Sequence, residues 1–426
     1  MARRHFLFGQ GNATPFYLRL GQAAVAAGHG VARLNLCGGD RFFWGGWNAW
    51  DYGGRSDDYG AFVADILRRS GASDLVVCND CRPCNAVTLA EARRQGLAVH
   101  VFEEGYLRPN WITLERDGLN GNSRLPDDPA WYHAAARALP AEETIVAVGS
   151  GLSRRVRYDF EWQAANYLYR FRFPHYRTHR PFPIWAEYAT WIPRLTRLKR
   201  LKAEAEAAVA DLIARRRRFF LFPLQLDSDS QIRIHSPFGR MRIALEAVLR
   251  DFAAQADAET WLVIKNHPLD NNWVNLQRLT HRLAVESGVA ERVLFLDGGS
   301  LPLLLDHAAG VVTVNSTVGL IALARHCPVI ALGKAVFDLP GLTFQGPLSA
   351  FWHHPDRPDP TLLAAYQAVL RHACLINGDF YTDTGVELAI AHSLARMTSA
   401  TDLLADAPPR RAPVSRVQIP SASDSA

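Results

Sequence analysis

The chain has 426 residues, of which 48% are hydrophobic and 21% charged, with a formal net charge of +5. This soluble, globular balance excludes a disordered chain and a membrane-spanning bundle, and the length suggests two domains. No stretch reaches the ~18–20 uninterrupted apolar residues of a membrane helix, and Phe6–Phe8 is too short for the ~7–15-residue core of a signal peptide, so a cytoplasmic protein is expected.

In chain order, His5–Phe8 reads as a strand, followed by a helix from Pro15 to Ala27 with Thr14 as its N-cap. Val31–Leu36 is a strand, Tyr59–Arg69 a helix, Asp74–Cys78 a strand, Asn85–Gln95 a helix and Ala98–Phe102 a strand. The pattern resumes with strand Phe219–Leu224, helix Met241–Gln255, strand Trp261–Lys265, helix Trp273–Ser287 and strand Val293–Leu296. Helix Leu301–Ala309, strand Gly310–Val314, helix Thr317–His326 and strand Pro328–Leu332 follow, then helices Thr361–Ala373 and Thr384–Met397. Strands alternating with helices of this length predict parallel βαβ units. The expected fold is α/β and GT-B-like, with two Rossmann-like doubly wound domains facing a central cleft. The expected boundaries are 1–150, a helical connector over 151–218, a second domain over 219–400, and a disordered tail over 401–426, rich in Ala, Pro, Arg and Ser.

The connector concentrates charge. Residues 151–218 carry 16 of the 47 Lys and Arg but 6 of the 42 Asp and Glu. Aromatics interleave with the cations: Tyr158, Phe160, Trp162, Tyr167, Tyr169, Phe171, Phe173, Tyr176, Phe182, Trp185, Tyr188 and Trp191, before the run Arg215–Arg218. Such a composition suits an anionic membrane surface, with rings at headgroup depth. Single-stranded nucleic acid or a plain solvated linker would also accept it; no nucleic-acid partner is expected. Cys78, Cys81 and Cys84 cluster without a fourth ligand, so no metal site is expected; Cys78 belongs to a strand core.

In open α/β sheets chemistry sits beyond the carboxyl ends of the strands. The loop after the first strand carries Gln10, Asn12 and Thr14 and opens onto a helix. Glu103 and Glu104, followed by Gly105 and Arg108, end strand Ala98–Phe102. Neighbouring side chains on an extended segment point opposite ways, so one carboxylate can act as nucleophile or base while the other anchors the loop. Lys265, Asn266 and His267 end strand Trp261–Lys265, and suit a phosphate or a leaving-group oxygen. Asn315, Ser316, Thr317 and Gly319 open a helix where phosphate or carboxylate oxygens can bind, although Ser316 could equally be an N-cap. Gln225, Asp229, Ser230 and Gln231 form a further polar loop, whose Asp spacing lacks the glycine and terminal Glu of an EF-hand.

Glu103–Pro109, Lys265–Pro268 and Asn315–Gly319, with Cys37–Asp40, Asn79–Pro83, Gly121–Pro126, Asp229–Ile232 and Gly341–Thr343, resemble in order the capsule polysaccharide biosynthesis and export proteins of the KpsS/LipB type. The resemblance covers about residues 4–395. It implies a retaining β-Kdo transferase that uses CMP-Kdo and needs no further cofactor or metal. The acceptor would be lyso-phosphatidylglycerol, at the inner leaflet of the inner membrane, and the partners would include other capsule assembly and export proteins. By the same resemblance, Lys265, His267, Asn315, Ser316, Thr317 and Gly319 would hold CMP. Glu104 falls where related transferases carry an Asp nucleophile, one methylene shorter, and Arg108 or Arg124 would meet the Kdo carboxylate. The alternatives are a non-catalytic adaptor of the export machinery and a GT-B transferase using another nucleotide sugar.

Overall fold

The computed structural model describes residues 3–140, 144–149, 151–178, 184–412 and 414–419. Phe182, and the side chains of Trp185, Tyr188 and Trp191, lie outside the described residues. The chain forms two compact units, one of residues 1–125, 135–179 and 367–407, the other of 126–134, 180–366 and 408–426.

In the first unit, β1 (His5–Phe8), β2 (Gly30–Asn35), β3 (Ala49–Asp51), β4 (Asp74–Cys78), β5 (Ala98–Glu104) and β6 (Trp111–Arg116) form one sheet. The strands β3-β2-β1-β4-β5 lie side by side in that order and run parallel, while β6 adds antiparallel to β5. Both faces are covered, and the sequence shows why. Phe6, Phe8, Val76 and Cys78 enter one apolar cluster, while Leu7, Leu75, Val77, Val99 and Val101 enter another. Alternation along each strand therefore feeds two cores, as a doubly wound sheet requires.

The second unit repeats the plan with β7 (Phe219–Pro223), β8 (Trp261–Lys265), β9 (Val293–Leu296), β10 (Gly310–Thr313) and β11 (Val329–Ala331), all parallel, in the order β9-β8-β7-β10-β11. Each unit thus has the 3-2-1-4-5 strand order of a Rossmann-like fold, whose ligand-binding switch point lies between its first and fourth strands. The α/β class and the two Rossmann-like sheets agree with expectation.

The unit boundaries differ from those expected at 150, 218 and 400. The chain returns to the first sheet with β12 (Leu375–Asn377), antiparallel to β6, and helix Asp383–Thr398 then packs on that unit through Val386, Ala389 and Met397. Residues 401–419 are not a free tail where described. Leu404 is buried, and Arg416 donates to the Ala331 carbonyl (2.8 Å), Asp338 (2.9 Å) and Gln345 (3.0 Å), while Val417 joins the apolar core of the second unit. The polar composition hid one buried arginine whose two terminal nitrogens reach three acceptors.

The connector is helical over Leu152–Leu168 and Ile184–Ala214. Helix Leu152–Leu168 sits on the short helix Gly38–Trp44, an element absent from the sequence-based expectation. Gly38 and Gly39 permit this: a Cβ at Gly38 would lie 2.2 Å from the Ala165 carbonyl oxygen, and one at Gly39 would lie 2.3 Å from the Trp162 ring. Asp40 fixes the turn by accepting from Arg33 (2.5 Å) and the Leu36 N–H (3.1 Å), an ion pair buried on both sides. Among the described residues no helix is long and apolar enough to cross a membrane.

Candidate active site

In the first unit the loop after β1 is held by internal bonds. The Gln10 carbonyl accepts from the Cys78 N–H (3.0 Å), the Asn12 side-chain oxygen from the Cys78 thiol (2.7 Å), and the Gly11 carbonyl from Arg82 (2.7 Å). Gln10 is buried, and the Thr14 hydroxyl accepts from the Phe16 N–H (3.2 Å), one residue into the helix Phe16–Ala26. Gln10, Asn12 and Thr14 thus shape the switch-point loop, and the described contacts of the latter two side chains stay within it and its supports. Burial pushes the Cys78 thiol pKa well up, so Cys78 stays a neutral donor.

The paired carboxylates at the end of β5 go to different partners. Glu103 accepts from the Asn79 side-chain amide (2.9 Å), which ties the end of β5 to the turn after β4. Asn79 has φ of +64°, a conformation Asn tolerates better than most residues. Glu104, with its side chain 23% exposed, accepts at Oε1 from the Tyr381 hydroxyl (3.0 Å) and pairs through the same oxygen with Arg155 (3.1 Å). Its Oε2 has the Arg108 guanidinium at 3.9 Å. Arg108 is half-exposed, and its Nε donates to the Gly105 carbonyl (3.2 Å).

Three distant stretches build this arrangement. Helix Leu152–Leu168 brings Arg154 and Arg155. Arg154 donates to the Tyr381 carbonyl (2.9 Å) and pairs with Asp383 (2.7 Å), and the Arg155 guanidinium stands 5.4 Å from the centre of the Tyr381 ring. Asp379 accepts from the Tyr381 N–H (2.8 Å). Burial raises the Tyr381 hydroxyl pKa and the neighbouring Glu104 charge raises it further, so it remains a donor. Burial opposes the Arg155 charge, but attraction to Glu104 outweighs it, and the Arg155 pKa is raised. Sequence reasoning missed Tyr381, Arg154 and Arg155. The available signal was a need: a half-sheltered carboxylate requires a cation and a donor nearby.

Arg124 lies elsewhere. It pairs with Asp402 (2.8 Å) and Asp117 (3.2 Å), and the Asp117 N–H bonds to Val99 near the start of β5. That is the opposite end of the strand from Glu104, roughly 16 Å away at ~3.3 Å per residue. Two carboxylates already neutralise Arg124, so of the two arginines expected to meet a substrate carboxylate, Arg108 alone adjoins Glu104.

In the second unit the two switch-point loops are joined by a reciprocal amide pair. Gln225 Nε2 donates to Asn315 Oδ1 (3.1 Å), and the Asn315 N–H donates to Gln225 Oε1 (3.3 Å), both side chains being buried. Asn315 Nδ2 then donates to the Gln231 carbonyl (2.8 Å) and the His235 carbonyl (3.1 Å). Asp229 caps the short helix Ser230–Arg233 by accepting from the Gln231 N–H (2.9 Å). Ser316 Oγ accepts from the Val318 N–H (3.2 Å), and Thr317 precedes helix Val318–Ala324. Gly319 has a packing cause, since a Cβ there would lie 2.3 Å from the Phe337 ring.

At the end of β8, Lys265 is buried, and burial lowers its pKa against the opposing attraction of Asp297. Asn266 donates to Asp270 (3.1 Å) and accepts from the His267 N–H (2.9 Å). His267 Nδ1 accepts from the Leu269 N–H (3.1 Å), which leaves the proton of the neutral ring on Nε2. Asp297, paired by both oxygens with Arg194 (2.7 and 2.8 Å), completes a charged cluster that the sequence did not announce.

The run Arg215–Arg218 is largely engaged by protein groups. Arg215 pairs with Asp211 (2.7 Å), Arg217 stacks on Trp261 (4.2 Å), and Arg218 reaches Asp257 (3.2 Å) and the Trp352 carbonyl (2.8 Å).

The model of a family described as capsule polysaccharide biosynthesis protein matches residues 73–381. The capsule polysaccharide export protein KpsS of Escherichia coli is 32% identical over 384 residues, 89% of this chain and 98% of that protein. The capsule polysaccharide modification protein LipB of Neisseria meningitidis serogroup B is 32% identical over 386 residues, 89% of this chain and 92% of that one. Among solved structures, a KpsC β-Kdo 2,7 transferase of Thermosulfurimonas dismutans aligns over 92% of this chain and 99% of its own, at 15% identity and a TM-score of 0.41. With a family model spanning most of the chain and relatives aligned nearly end to end, the chain belongs to the capsule polysaccharide biosynthesis protein family.

Proposed function

We propose that the chain is a retaining β-Kdo transferase, moving Kdo from CMP-Kdo to a lyso-phosphatidylglycerol acceptor and so starting the linker of a capsular polysaccharide. The observation that carries this reading is Glu104. It ends a parallel strand, and one oxygen is held by Tyr381 and Arg155 while the other has Arg108 at 3.9 Å.

Retention by double displacement needs a carboxylate that first attacks and then leaves. In the first step Glu104 Oε2 forms a bond to the anomeric carbon as the bond to phosphate breaks, and that electron pair departs with CMP. In the second, the acceptor oxygen bonds to the same carbon, its proton passes to a base, and the pair of the glycosyl–Glu104 bond returns to the carboxylate. The Tyr381 hydroxyl and Arg155 both bind Oε1, where they would stabilise the departing carboxylate more than the glycosyl ester, so they temper the attack and promote the release. Arg108 is the cation we assign to the Kdo carboxylate. For the donor, Lys265, His267, Ser316 and Thr317 would contact the CMP phosphate and sugar, with the Gln225–Asn315 pair fixing the loops that carry them. The protein would act at the inner face of the inner membrane, beside other capsule assembly and export proteins.

The test is incubation with CMP-Kdo and a lyso-phosphatidylglycerol analogue. Expected is a product heavier by one or more Kdo residues, abolished in Glu104→Gln with CMP binding retained. A protein that binds neither CMP nor CMP-Kdo would be an adaptor. Full transfer by Glu104→Gln would remove the carboxylate from the mechanism.

A further inference from the structure

Helix Leu152–Leu168 is apolar on two sides. One side, with Trp162 and Ala165, is pressed onto Gly38 and Gly39 and is buried. At ~100° per residue, Leu152, Val156, Phe160 and Tyr167 fall within an arc of about 80°, roughly opposite that buried side. These four side chains are 64–67% exposed, Leu168 is 71% exposed, and Phe171, just past the helix end, is 80% exposed. A helix with one apolar face docked and a second in water lacks a partner for the second.

Charge identifies the partner. Of the six arginines in residues 152–178, Arg154, Arg155, Arg157 and Arg172 pair with Asp383, Glu104, Glu161 and Asp51, which leaves the exposed Arg170 and Arg177 for an anionic partner. The Arg170 guanidinium lies 4.5 Å from the Tyr167 ring centre and 4.4 Å from that of Phe171. A cation stacked beside exposed rings, at the end of an aliphatic stripe, matches the layering of a bilayer surface: acyl chains, then ring-depth glycerol, then anionic phosphate. We propose that the outer face of this helix, with Phe171, docks the protein on an anionic lipid bilayer. The inference rests on the proposed function only in that a lipid acceptor gives the docking its purpose, and its test needs no transfer.

The full-length protein is floated with phosphatidylcholine vesicles, with and without phosphatidylglycerol, in the absence of donor. Binding is expected to the anionic vesicles and to weaken with salt. Val156→Ser/Phe160→Ser and Tyr167→Ser/Phe171→Ser are each expected to lower the partition constant about tenfold or more, from the apolar surface removed, at unchanged Tm. Arg215→Gln/Arg216→Gln is the control and should float as the unaltered protein does. Unchanged flotation of both serine pairs, or equal binding to neutral vesicles, overturns the proposal. Greater loss in the arginine pair assigns docking to that run instead. Serine variants that float normally but lose a cross-linked protein partner make the stripe a protein interface. Transfer to a soluble acceptor analogue is read separately, so an inactive protein that still floats counts against the transferase and not against the docking surface.

Discussion

In the proposed double displacement the carboxylate is governed by what holds its oxygens, and at Glu104 those groups come from far along the chain. The Tyr381 hydroxyl bonds to Oε1 (3.0 Å) across 277 residues of sequence, and Arg155 pairs with the same atom (3.1 Å). The adjacent acids at 103 and 104 were legible because two charges at a strand end have no packing role. Their separate tasks followed from the alternation of an extended segment. Tyr381 and Arg155 were not legible: one sits in an unremarkable loop, and the other is one arginine among many. Tyr381→Phe removes a hydrogen bond to a charged group, worth ~1.5–3 kcal/mol. We expect kcat to fall about 10- to 100-fold with CMP affinity unchanged, because the slowed step is release of the sugar from the carboxylate. Arg155→Lys should keep more activity than Arg155→Ala, since a single ammonium still supplies the charge. A Tyr381→Phe protein with unaltered kcat would assign the hydroxyl to the fold alone.

At the scale of elements, the sequence revealed every central parallel strand, together with the edge strands β9 and β11 of the second sheet. The stretches Phe6–Phe8, Leu75–Cys78, Phe219–Phe222 and Leu262–Ile264 of β1, β4, β7 and β8 are buried and apolar without interruption, which is how parallel strands covered on both faces must read. The strands it hid are peripheral. β3 and β12 span three residues each, and β6, Trp-Ile-Thr-Leu-Glu-Arg, mixes polar residues because it pairs antiparallel between β5 and the short β12. Cys37–Asp40 was noticed as a motif without a purpose. Its geometry supplies one: the two glycines admit the helix that delivers Arg154 and Arg155. Gly39→Ala places a Cβ 2.3 Å from the Trp162 ring, where a bulky aromatic must move. Overpacking of this kind costs ~1–3 kcal/mol, to be read as a lower denaturation midpoint. Transfer should fall with it, because Arg155 rides on the displaced helix. Gly60→Ala is the contrast: its Cβ meets only Val87 at 3.8 Å within a helix, and stability should rise by ~0.5–1 kcal/mol. Equal midpoints for the two variants would refute the docking role of Gly39.

For the molecule as a whole, two sheets with the same strand order were foreseeable from two series of alternating elements, and the polar loops singled out in the sequence fall at or beside their switch points. Which unit each late segment joins was not foreseeable, because periodicity says that a helix has an apolar face and not which surface receives it. Residues 367–407 complete the first unit, and 408–419 pack on the second. In the second unit Arg416 supplies side-chain bonds to Ala331, Asp338 and Gln345, its carbonyl accepts from the Leu348 N–H (2.8 Å), and Arg410 donates to the Ala335 carbonyl (2.7 Å). A chain ending at Ala407 leaves Asp338 without its buried partner and uncovers the Val417 contact. Breaking a buried ion pair from one side costs ~3–5 kcal/mol, so we expect a clearly lower Tm and, since the Gln225–Asn315 pair lies in the same unit, weaker CMP binding. Arg416→Ala alone should reproduce most of the loss, whereas Arg411→Ala, whose exposed side chain lies on the same stretch, should not. If the shortened chain melts and binds CMP as the full one does, the last stretch contributes nothing to the second unit, and the sequence-based expectation of a free tail was the better description.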